Sequence, residues 1–320
     1  MKRQTGIVKA VTPEYSEKTI HIKESLMAEK KVSFAKFILN GIRENTMPIG
    51  GWVAPTPQAQ GRADFISRKY YAYAAEAGLN ILYGLYERYP ENKFAVESAL
   101  NLSEQVGIKY IVNDSFLHDE KAGLKHAAET QSIFLKYKSF GGFLLWDEPG
   151  RRSFHYLKKA QTILSQKYGP NNLYLINMLP DYANSSHLVN GMWTPEGTAD
   201  YTYERYLYDY FKIVRPPVFS YDYYPFRGGF PNISKTYFKN LSFARKLCTL
   251  YDTPLWLFIQ AIGRKDKYRL PTKSELQWQV NTSLIYGAKG LQYFCYFTPL
   301  DDQKFGFSNA MISGEGEKTE

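Results

Sequence analysis

Cysteine, histidine and long apolar runs are scarce in this 320-residue sequence, and each scarcity excludes a class of protein. Two cysteines, Cys248 and Cys295, cannot build a disulfide framework or a four-cysteine zinc site. No apolar run reaches the roughly 18 residues that a membrane-spanning helix needs. The five histidines are scattered along the chain, so we expect no metal centre and no other cofactor.

Charge of one sign is not concentrated anywhere in the chain. Lys and Arg total 40 against 31 Asp and Glu, but the basic runs are short pairs such as Lys30-Lys31 and Arg264-Lys265. A nucleic-acid-binding protein usually gathers its charge in a patch or tail. We therefore expect a solvated basic surface, with neither a nucleic-acid nor a membrane partner, and the oligomeric state stays open.

The residues after Met1 are polar and contain no apolar signal-peptide core. This pattern predicts a cytoplasmic protein, or a secreted or periplasmic one if a leader has been removed.

Short apolar segments, many of them rich in aromatic residues, recur along the chain. Hydrophobic residues make up 44% and charged residues 22%, a balance that can fill a substantial core. Continuous apolar character suits strands that are buried on both faces of a parallel sheet. The eight segments are Pro48–Val53, Asn80–Leu85, Lys109–Val112, Gly141–Trp146, Asn172–Asn177, Pro217–Tyr221, Pro254–Ile259 and Gly290–Phe297.

The segments between these strands have helical patterns, and strand starts recur every 30 to 45 residues or so, the spacing of βα units. Thr272 and Glu275 have the spacing of a capping box before one such helix. We predict an α/β protein, a (β/α)8 TIM barrel over residues 46–320, preceded by a leader segment over residues 1–45. The polar residues after the last strand predict no closing helix, so we expect a barrel that lacks its last helix and is truncated at the C-terminus.

Catalytic side chains of such barrels follow the carboxyl ends of the strands. Carboxylates, amides and aromatic rings predominate there, and we expect ten of them to bind substrate. They are Trp52, Glu87, Asn113, Asp114, Asn177, Tyr223, Tyr224, Gln260 and Tyr296, together with Trp193 in the long loop over residues 181–199.

Two strand ends point to acid–base chemistry. The fourth strand delivers Asp147 and Glu148 and stops at Pro149, which places a carboxyl group at the barrel mouth. The alternative is that these carboxylates only cap the next helix. The sixth strand delivers Asp222 among aromatic residues, a pattern that suits a sugar-stacking platform with a polar anchor; the alternative is a tyrosine-rich loop that packs on itself.

The segment Trp146-Asp-Glu-Pro149 resembles the Asn-Glu-Pro acid/base segment of (β/α)8 glycoside hydrolases of the large retaining clan. Two further segments resemble that clan more loosely: Met47-Pro-Ile-Gly-Gly-Trp52 at the first strand and Ser220-Tyr-Asp-Tyr-Tyr-Pro225 at the sixth. The stretch from Gln279 to Gly290 looks like the passage before the eighth strand in β-galactosidase-like, family-42-like enzymes. The resemblance covers roughly residues 46–318 and implies a TIM-barrel glycosidase acting on a carbohydrate.

The resemblance implies that Glu148 is the proton donor, but the chain departs from the clan at the seventh strand. The clan places its nucleophilic Glu there, and this sequence has Gln260. An amide is not a carboxylate nucleophile, so a second carboxylate would come from Asp222 first and then from Glu87 or Asp114. Gln260 could instead orient a water or a substrate amide, as substrate-assisted hydrolysis would need.

These residues predict a glycoside hydrolase that cleaves O-glycosidic bonds, with Glu148 as general acid, Asp222 as base or nucleophile and Asp147 tuning Glu148. Gln260 motivates the alternative of a non-catalytic carbohydrate-binding barrel. A third possibility is a barrel enzyme of unrelated chemistry, for which Gly263-Arg-Lys265 is a faint hint of a phosphate-binding loop.

Overall fold

Eight parallel strands close into a barrel in which each strand pairs with its neighbours in sequence and β8 pairs with β1. The structure is a computed structural model that describes residues 39–43, 45–129, 133–192, 200–228 and 232–319. The strands are β1 (Ile49–Trp52), β2 (Ile81–Tyr89), β3 (Lys109–Asp114), β4 (Phe140–Asp147), β5 (Leu173–Met178), β6 (Phe219–Tyr221), β7 (Leu255–Gln260) and β8 (Gly290–Phe294). The predicted (β/α)8 barrel is therefore confirmed.

Helices follow the strands and surround the barrel. In the described part of the chain they are α1 (Arg68–Glu76), α2 (Lys93–Val106), α3 (Gly123–Glu129), α4 (Phe154–Tyr168), α5 (Ser185–Asn190), α6 (Tyr203–Ile213), α7 (Tyr237–Leu250), α8 (Lys273–Ile285) and α9 (Asp302–Phe305). None of these helices is long and apolar enough to cross a membrane.

Local sequence signals explain several helix ends. Thr272 accepts a hydrogen bond from the backbone N–H of Glu275, and the Glu275 side chain accepts one from the N–H of Thr272, which completes the predicted capping box of α8. Helix α2 ends at Gly107, whose φ of 74° is left-handed and favours glycine. The sequence patterns missed α6, although Thr202 caps it by accepting from the N–H of Arg205.

The segment after β8 contains, among the described residues, one four-residue helix, α9. Beyond α9 the chain returns to the barrel, where Ile312 donates its N–H to the carbonyl of Tyr296 at 2.9 Å. Ile312 also pairs as an isolated bridge with Phe297. The predicted leader over residues 1–45 lies largely outside the described residues, and so does the loop residue Trp193.

Candidate active site

Two carboxyl groups share one amide at the carboxyl ends of β4, β5 and β6. Nδ2 of Asn177 donates to Oδ1 of Asp147 at 3.1 Å and to Oδ1 of Asp222 at 2.9 Å. Asp147 is the register partner of Asn177 on the neighbouring strand. Ser220, the partner of Asn177 on the other side, lies two residues before Asp222. Strand pairing therefore brings these side chains to one level of the barrel.

The orientation of Asn177 is set by hydrogen bonds that cross the barrel interior. Ser220 Oγ donates to Oδ1 of Asn177 at 2.9 Å, and Gln292 Nε2 donates to Ser220 Oγ at 2.9 Å. The Tyr83 hydroxyl donates in turn to Oε1 of Gln292 at 2.7 Å. Because the amide oxygen already accepts from a hydroxyl, the amide nitrogen is the group left to face the carboxylates.

A bulge in β4 decides which side chain points at the amide. The register with β5 shifts between Leu144 and Trp146, so β4 carries one extra residue. Since side chains alternate across a strand, one extra residue reverses which face each later side chain takes, and Asp147 comes to lie opposite Asn177. The next residue, Glu148, has a left-handed φ of 54°, which is rare for a residue other than glycine. Strained backbone of this kind clusters at functional sites.

Glu148 lies close enough to the two aspartates for their charges to change its pKa, and the charge of Asp147 also acts on Asp222. Burial, and then the charges of Asp222 and Asp147, raise the pKa of Glu148 well above its usual value, while Arg264 lowers it. Burial raises the pKa of Asp147 to about 6 and that of Asp222 to about 7, and the Asn177 hydrogen bonds oppose both shifts. Burial and nearby like charge both disfavour the ionised form of a carboxyl group, so the surroundings of this cluster favour protonation.

An aromatic wall stands beside the cluster. The Tyr224 ring stacks on Phe294 with centroids 5.2 Å apart, and it packs against Tyr268 at 4.9 Å. Hydrogen bonding by Tyr224 is one of the interactions that lower the pKa of Asp222. Phe307 extends the wall, at 5.7 Å from Phe294. Of these rings the sequence analysis proposed Tyr224 alone. Phe294 is the last residue of β8, whereas Tyr268 and Phe307 lie in the loops after β7 and β8, at distances that vary with the loops.

Tyr182 is a second aromatic residue that the sequence analysis missed. It follows β5, and its side chain is 38% exposed. Burial and then the charges of Asp222 and Glu148 raise the pKa of its hydroxyl, so Tyr182 lies within electrostatic range of these carboxylates. The guanidinium carbon of Arg227 lies 3.6 Å from its ring centroid. Its position just past a strand end was the available signal.

A cavity of about 610 Å³ opens between the loops that follow β7 and β8. Tyr268 and Phe307 connect it to the aromatic wall. Among its charged lining residues basic ones predominate: Arg264, Lys265, Lys267 and Arg269 stand against Asp266.

Three strand-end candidates do not join the cluster. Glu87 is fully buried and accepts a hydrogen bond from the Tyr110 hydroxyl. Asp114 is paired with His126 on α3, with Oδ2 and Nε2 2.8 Å apart. Asn113 donates to the carbonyl of Leu85 at 2.9 Å, and its Oδ1 is buried without a hydrogen-bond partner among the described residues. Glu87 and Asp114 are therefore engaged elsewhere and are poor candidates for a second catalytic carboxylate.

Three aromatic candidates are packed inside the protein. Trp52 is 4% exposed and contacts Tyr83 and Phe258 within the barrel. The Tyr223 hydroxyl is hydrogen-bonded to Ser234 and Thr236, at 2.5 and 2.7 Å. The hydroxyl of Tyr296, which is 2% exposed, donates to the carbonyl of Tyr70 on α1. All three side chains are thus packed against other parts of the protein, and their role in lining subsites stays a prediction.

Gln260 has its side chain fully engaged with backbone groups. Nε2 donates to the carbonyls of Ile262 and Arg269, at 3.2 and 2.6 Å, and Oε1 accepts from the N–H of Phe226 at 3.3 Å. The amide thus joins the two ends of the loop after β7. These contacts give Gln260 a structural role, and its predicted part in binding substrate or orienting a water stays a prediction.

Among the described residues no group of three or more His, Cys, Asp or Glu side chains is arranged to hold a metal ion. What the site offers is a set of three carboxyl groups held in place by one amide, near a guanidinium and beside aromatic rings. Such a set can donate a proton to an acetal oxygen, and it can accept a proton from a water that attacks the acetal carbon.

No protein-family model matches the sequence, and no curated protein sequence is significantly similar to it. Solved structures do match its fold. A β-galactosidase from Halorubrum lacusprofundi has a TM-score of 0.58 at 10% identity, over 85% of this chain and 56% of that one. A candidate alpha-L-fucosidase from Bacteroides thetaiotaomicron has a TM-score of 0.54 at 11% identity, over 86% and 93%.

An endo-1,4-beta-D-mannanase from Thermotoga petrophila has a TM-score of 0.53 at 11% identity, over 84% of this chain and 94% of that one. The class that fold and neighbours define is therefore a TIM barrel with glycoside hydrolases among its structural relatives. At these identities the similarity concerns the fold alone, and the chemistry has to be argued from the site.

Proposed function

We propose that this protein is a glycoside hydrolase in which Glu148 is the general acid and Asp222 the second catalytic carboxylate. The observation that carries the proposal is the gathering of Asp147, Glu148 and Asp222 at the carboxyl end of the barrel, with Asn177 bonded to both aspartates. Catalytic groups of TIM-barrel enzymes lie at that face. The narrower resemblance to family-42-like β-galactosidases rests on the Trp146–Pro149 segment and belongs to this proposal.

Glu148 suits the role of acid because its surroundings favour the protonated carboxyl group. Burial and two neighbouring carboxylates raise its pKa, which is how glycosidases keep an acid protonated at working pH. As the bond between the anomeric carbon and the leaving oxygen breaks, the Glu148 proton passes to that oxygen. Positive charge then develops on the sugar ring, as in an oxocarbenium ion.

Asp222 faces that positive charge. Its pKa of about 7 makes the ionised form available near neutrality, and the Asn177 and Tyr224 hydrogen bonds favour it. In its ionised form it can attack the anomeric carbon or deprotonate a water that does so, and the two routes give opposite anomers. Asp147 stays a positioning residue, because its contact with Asn177 fixes the amide and its charge raises the pKa of Glu148.

Glu148→Gln tests the proposal. General acid catalysis contributes about 10²- to 10⁴-fold, so turnover of an unactivated glycoside should fall by at least about a hundredfold. Aryl glycosides with good leaving groups should lose less, since they need less protonation. Glu120→Gln, an exposed glutamate outside the site, is the matched control. Full activity of Glu148→Gln on an unactivated glycoside would place the acid elsewhere.

Asp222→Asn addresses the second carboxylate. We expect a comparable loss of turnover with glycan binding retained, and proton NMR of the first product anomer identifies the route. A protein that binds glycans and hydrolyses none favours the alternative of a carbohydrate-binding barrel. The engaged amide of Gln260 at the end of β7 is the observation in favour of that alternative.

A further inference from the structure

The cavity between the loops after β7 and β8 is not needed for the proton transfers, yet it adjoins the groups that make them. Its wall residue Tyr268 packs on Tyr224, which interacts with Asp222. From the other side, the charge of Arg264 acts on Glu148. A saccharide that occupies the carboxylate cluster would therefore extend into this cavity.

Arg264 is a guanidinium held in place at the cavity wall. Nε donates to the carbonyl of Phe305 at 3.0 Å, and the guanidinium carbon lies 5.2 Å and 5.4 Å from the ring centroids of Phe305 and Phe307. Within the described part of the chain, no carboxylate lies within salt-bridge distance of Arg264, and its terminal nitrogens have no hydrogen-bond partner. The half-buried guanidinium of Arg264 is therefore already held in position with free N–H donors. Such a group is suited to bind a planar or tetrahedral anion.

The remaining charges of the lining reinforce this one. Arg269 is neutralised by Glu275, with hydrogen bonds of 2.7 and 2.5 Å. Lys265 and Lys267 are exposed at the rim, and Asp266 between them is the acidic residue of the lining. Positive charge therefore exceeds negative charge in the cavity. A neutral sugar would not neutralise this excess positive charge. Its hydroxyl groups are recognised by a mixture of hydrogen-bond donors and acceptors, whereas the charged side chains of this lining are mainly donors.

Gln260 fixes the shape of this cavity. Its amide ties Ile262 to Arg269, the two ends of the loop that carries Arg264. A carboxylate at position 260 would place negative charge against those two carbonyls and could not make these donations. The residue that replaces the clan's nucleophile thus acts as a loop anchor.

We propose that this cavity binds a negatively charged substituent, a carboxylate or a sulfate, on the saccharide that the enzyme cleaves, with Arg264 as its main ligand. The half-buried ring of Phe307 contacts the sugar ring that carries it. This inference rests on the proposed function for the identity of the ligand as a saccharide. The place of the cavity agrees with a general property of TIM barrels, whose loops after strands seven and eight often hold anionic groups.

Binding of matched fluorescent oligosaccharides tests the proposal. The first pair is α-1,4-linked galacturonate trisaccharide and the neutral galactose trisaccharide. The second is κ-carrageenan tetrasaccharide and its desulfated form. We expect the anionic member of at least one pair to bind at least about tenfold more tightly. A preference in the first pair identifies a carboxylate as the group, and a preference in the second identifies a sulfate.

Arg264→Met should abolish that preference, and Lys267→Met should reduce it. Lys159→Met removes the same charge from the exposed surface of α4 and should leave it unchanged. Equal binding within both pairs, or a preference that persists in Arg264→Met, overturns the proposal. If the protein hydrolyses neutral glycans alone, the proposed function stands and this inference is rejected. If anionic glycans bind in an Arg264-dependent manner but are not hydrolysed, this inference stands and the proposed function is rejected.

Discussion

Asn177 donates a hydrogen bond of 2.9 Å to Asp222, and the same amide nitrogen reaches Asp147 at 3.1 Å. Removal of this amide should change the titration of the site. The hydrogen bonds of Asn177 oppose the rise in the pKa of both aspartates, so Asn177→Ala should raise the pKa of Asp222 further. A lost hydrogen bond to a charged group is worth about 1.5 to 3 kcal/mol, and about 1.4 kcal/mol corresponds to one pH unit.

We therefore expect the acid limb of the pH profile of kcat/KM to move to higher pH by about one unit or more in Asn177→Ala. Asn101→Ala, on the exposed surface of α2, is the control and should keep the original limb. If Asn177→Ala lowered activity equally at every pH, the amide would serve the fold and not the ionisation of Asp222.

Two substitutions should shift the pKa of Glu148 in opposite directions. The charge of Asp222 raises this pKa and that of Arg264 lowers it. Asp222→Asn should therefore lower the Glu148 pKa, and Arg264→Met should raise it. Carbon-13 NMR of glutamate-labelled protein measures both without requiring activity. Shifts of the same sign in the two variants would contradict the arrangement of charges described above.

Gln260→Glu should destabilise the protein and should not create a retaining glycosidase. The amide nitrogen donates to two backbone carbonyls in a fully buried site, and a carboxylate cannot replace those donations. Buried groups left unsatisfied cost about 1 to 3 kcal/mol each. Urea unfolding should show a loss of that order, whereas Gln277→Glu on the exposed surface of α8 should have little effect. Wild-type stability together with increased activity would show that position 260 serves catalysis.

Glu87 should make the protein less stable as the pH rises. Burial raises its pKa to about 7, while an unfolded chain has a glutamate pKa of about 4.3. The folded state then binds more protons, so the unfolding free energy falls as the pH rises between these two values. At about 1.4 kcal/mol per pH unit the total loss is about 4 kcal/mol.

Glu87→Gln should remove this part of the pH dependence. We expect urea unfolding at pH 5 and pH 8 to show a drop in stability that is smaller than in the wild type by about 1 to 3 kcal/mol. Glu120→Gln should retain the wild-type drop, because that side chain is exposed. An unchanged drop in Glu87→Gln would mean that Glu87 is already ionised at neutral pH in the folded protein.

The sequence by itself determined the barrel and the level at which its chemistry lies. Eight apolar runs at βα spacing predict eight buried parallel strands, and all eight are present. The capping box of Thr272 and Glu275 was also predicted from the sequence, because it depends on residues within one helical turn. Carboxylates directly after β4 and β6 were found for the same reason, since parallel strands bring their carboxyl ends to one face of the barrel.

Only the tertiary structure decided which strand-end side chains meet. An extra residue in β4 turns Asp147 toward Asn177, and a one-residue change of register cannot be read from apolar content. Glu87, Asp114 and Tyr296 also lie at or near strand ends, but they form hydrogen bonds with surrounding side chains and helices. Arg264 and Tyr182 join the site from loops whose paths depend on long-range contacts such as the Gln260 bridge. Local patterns specify strands and helices, whereas the partners of a polar side chain depend on residues far away in the sequence.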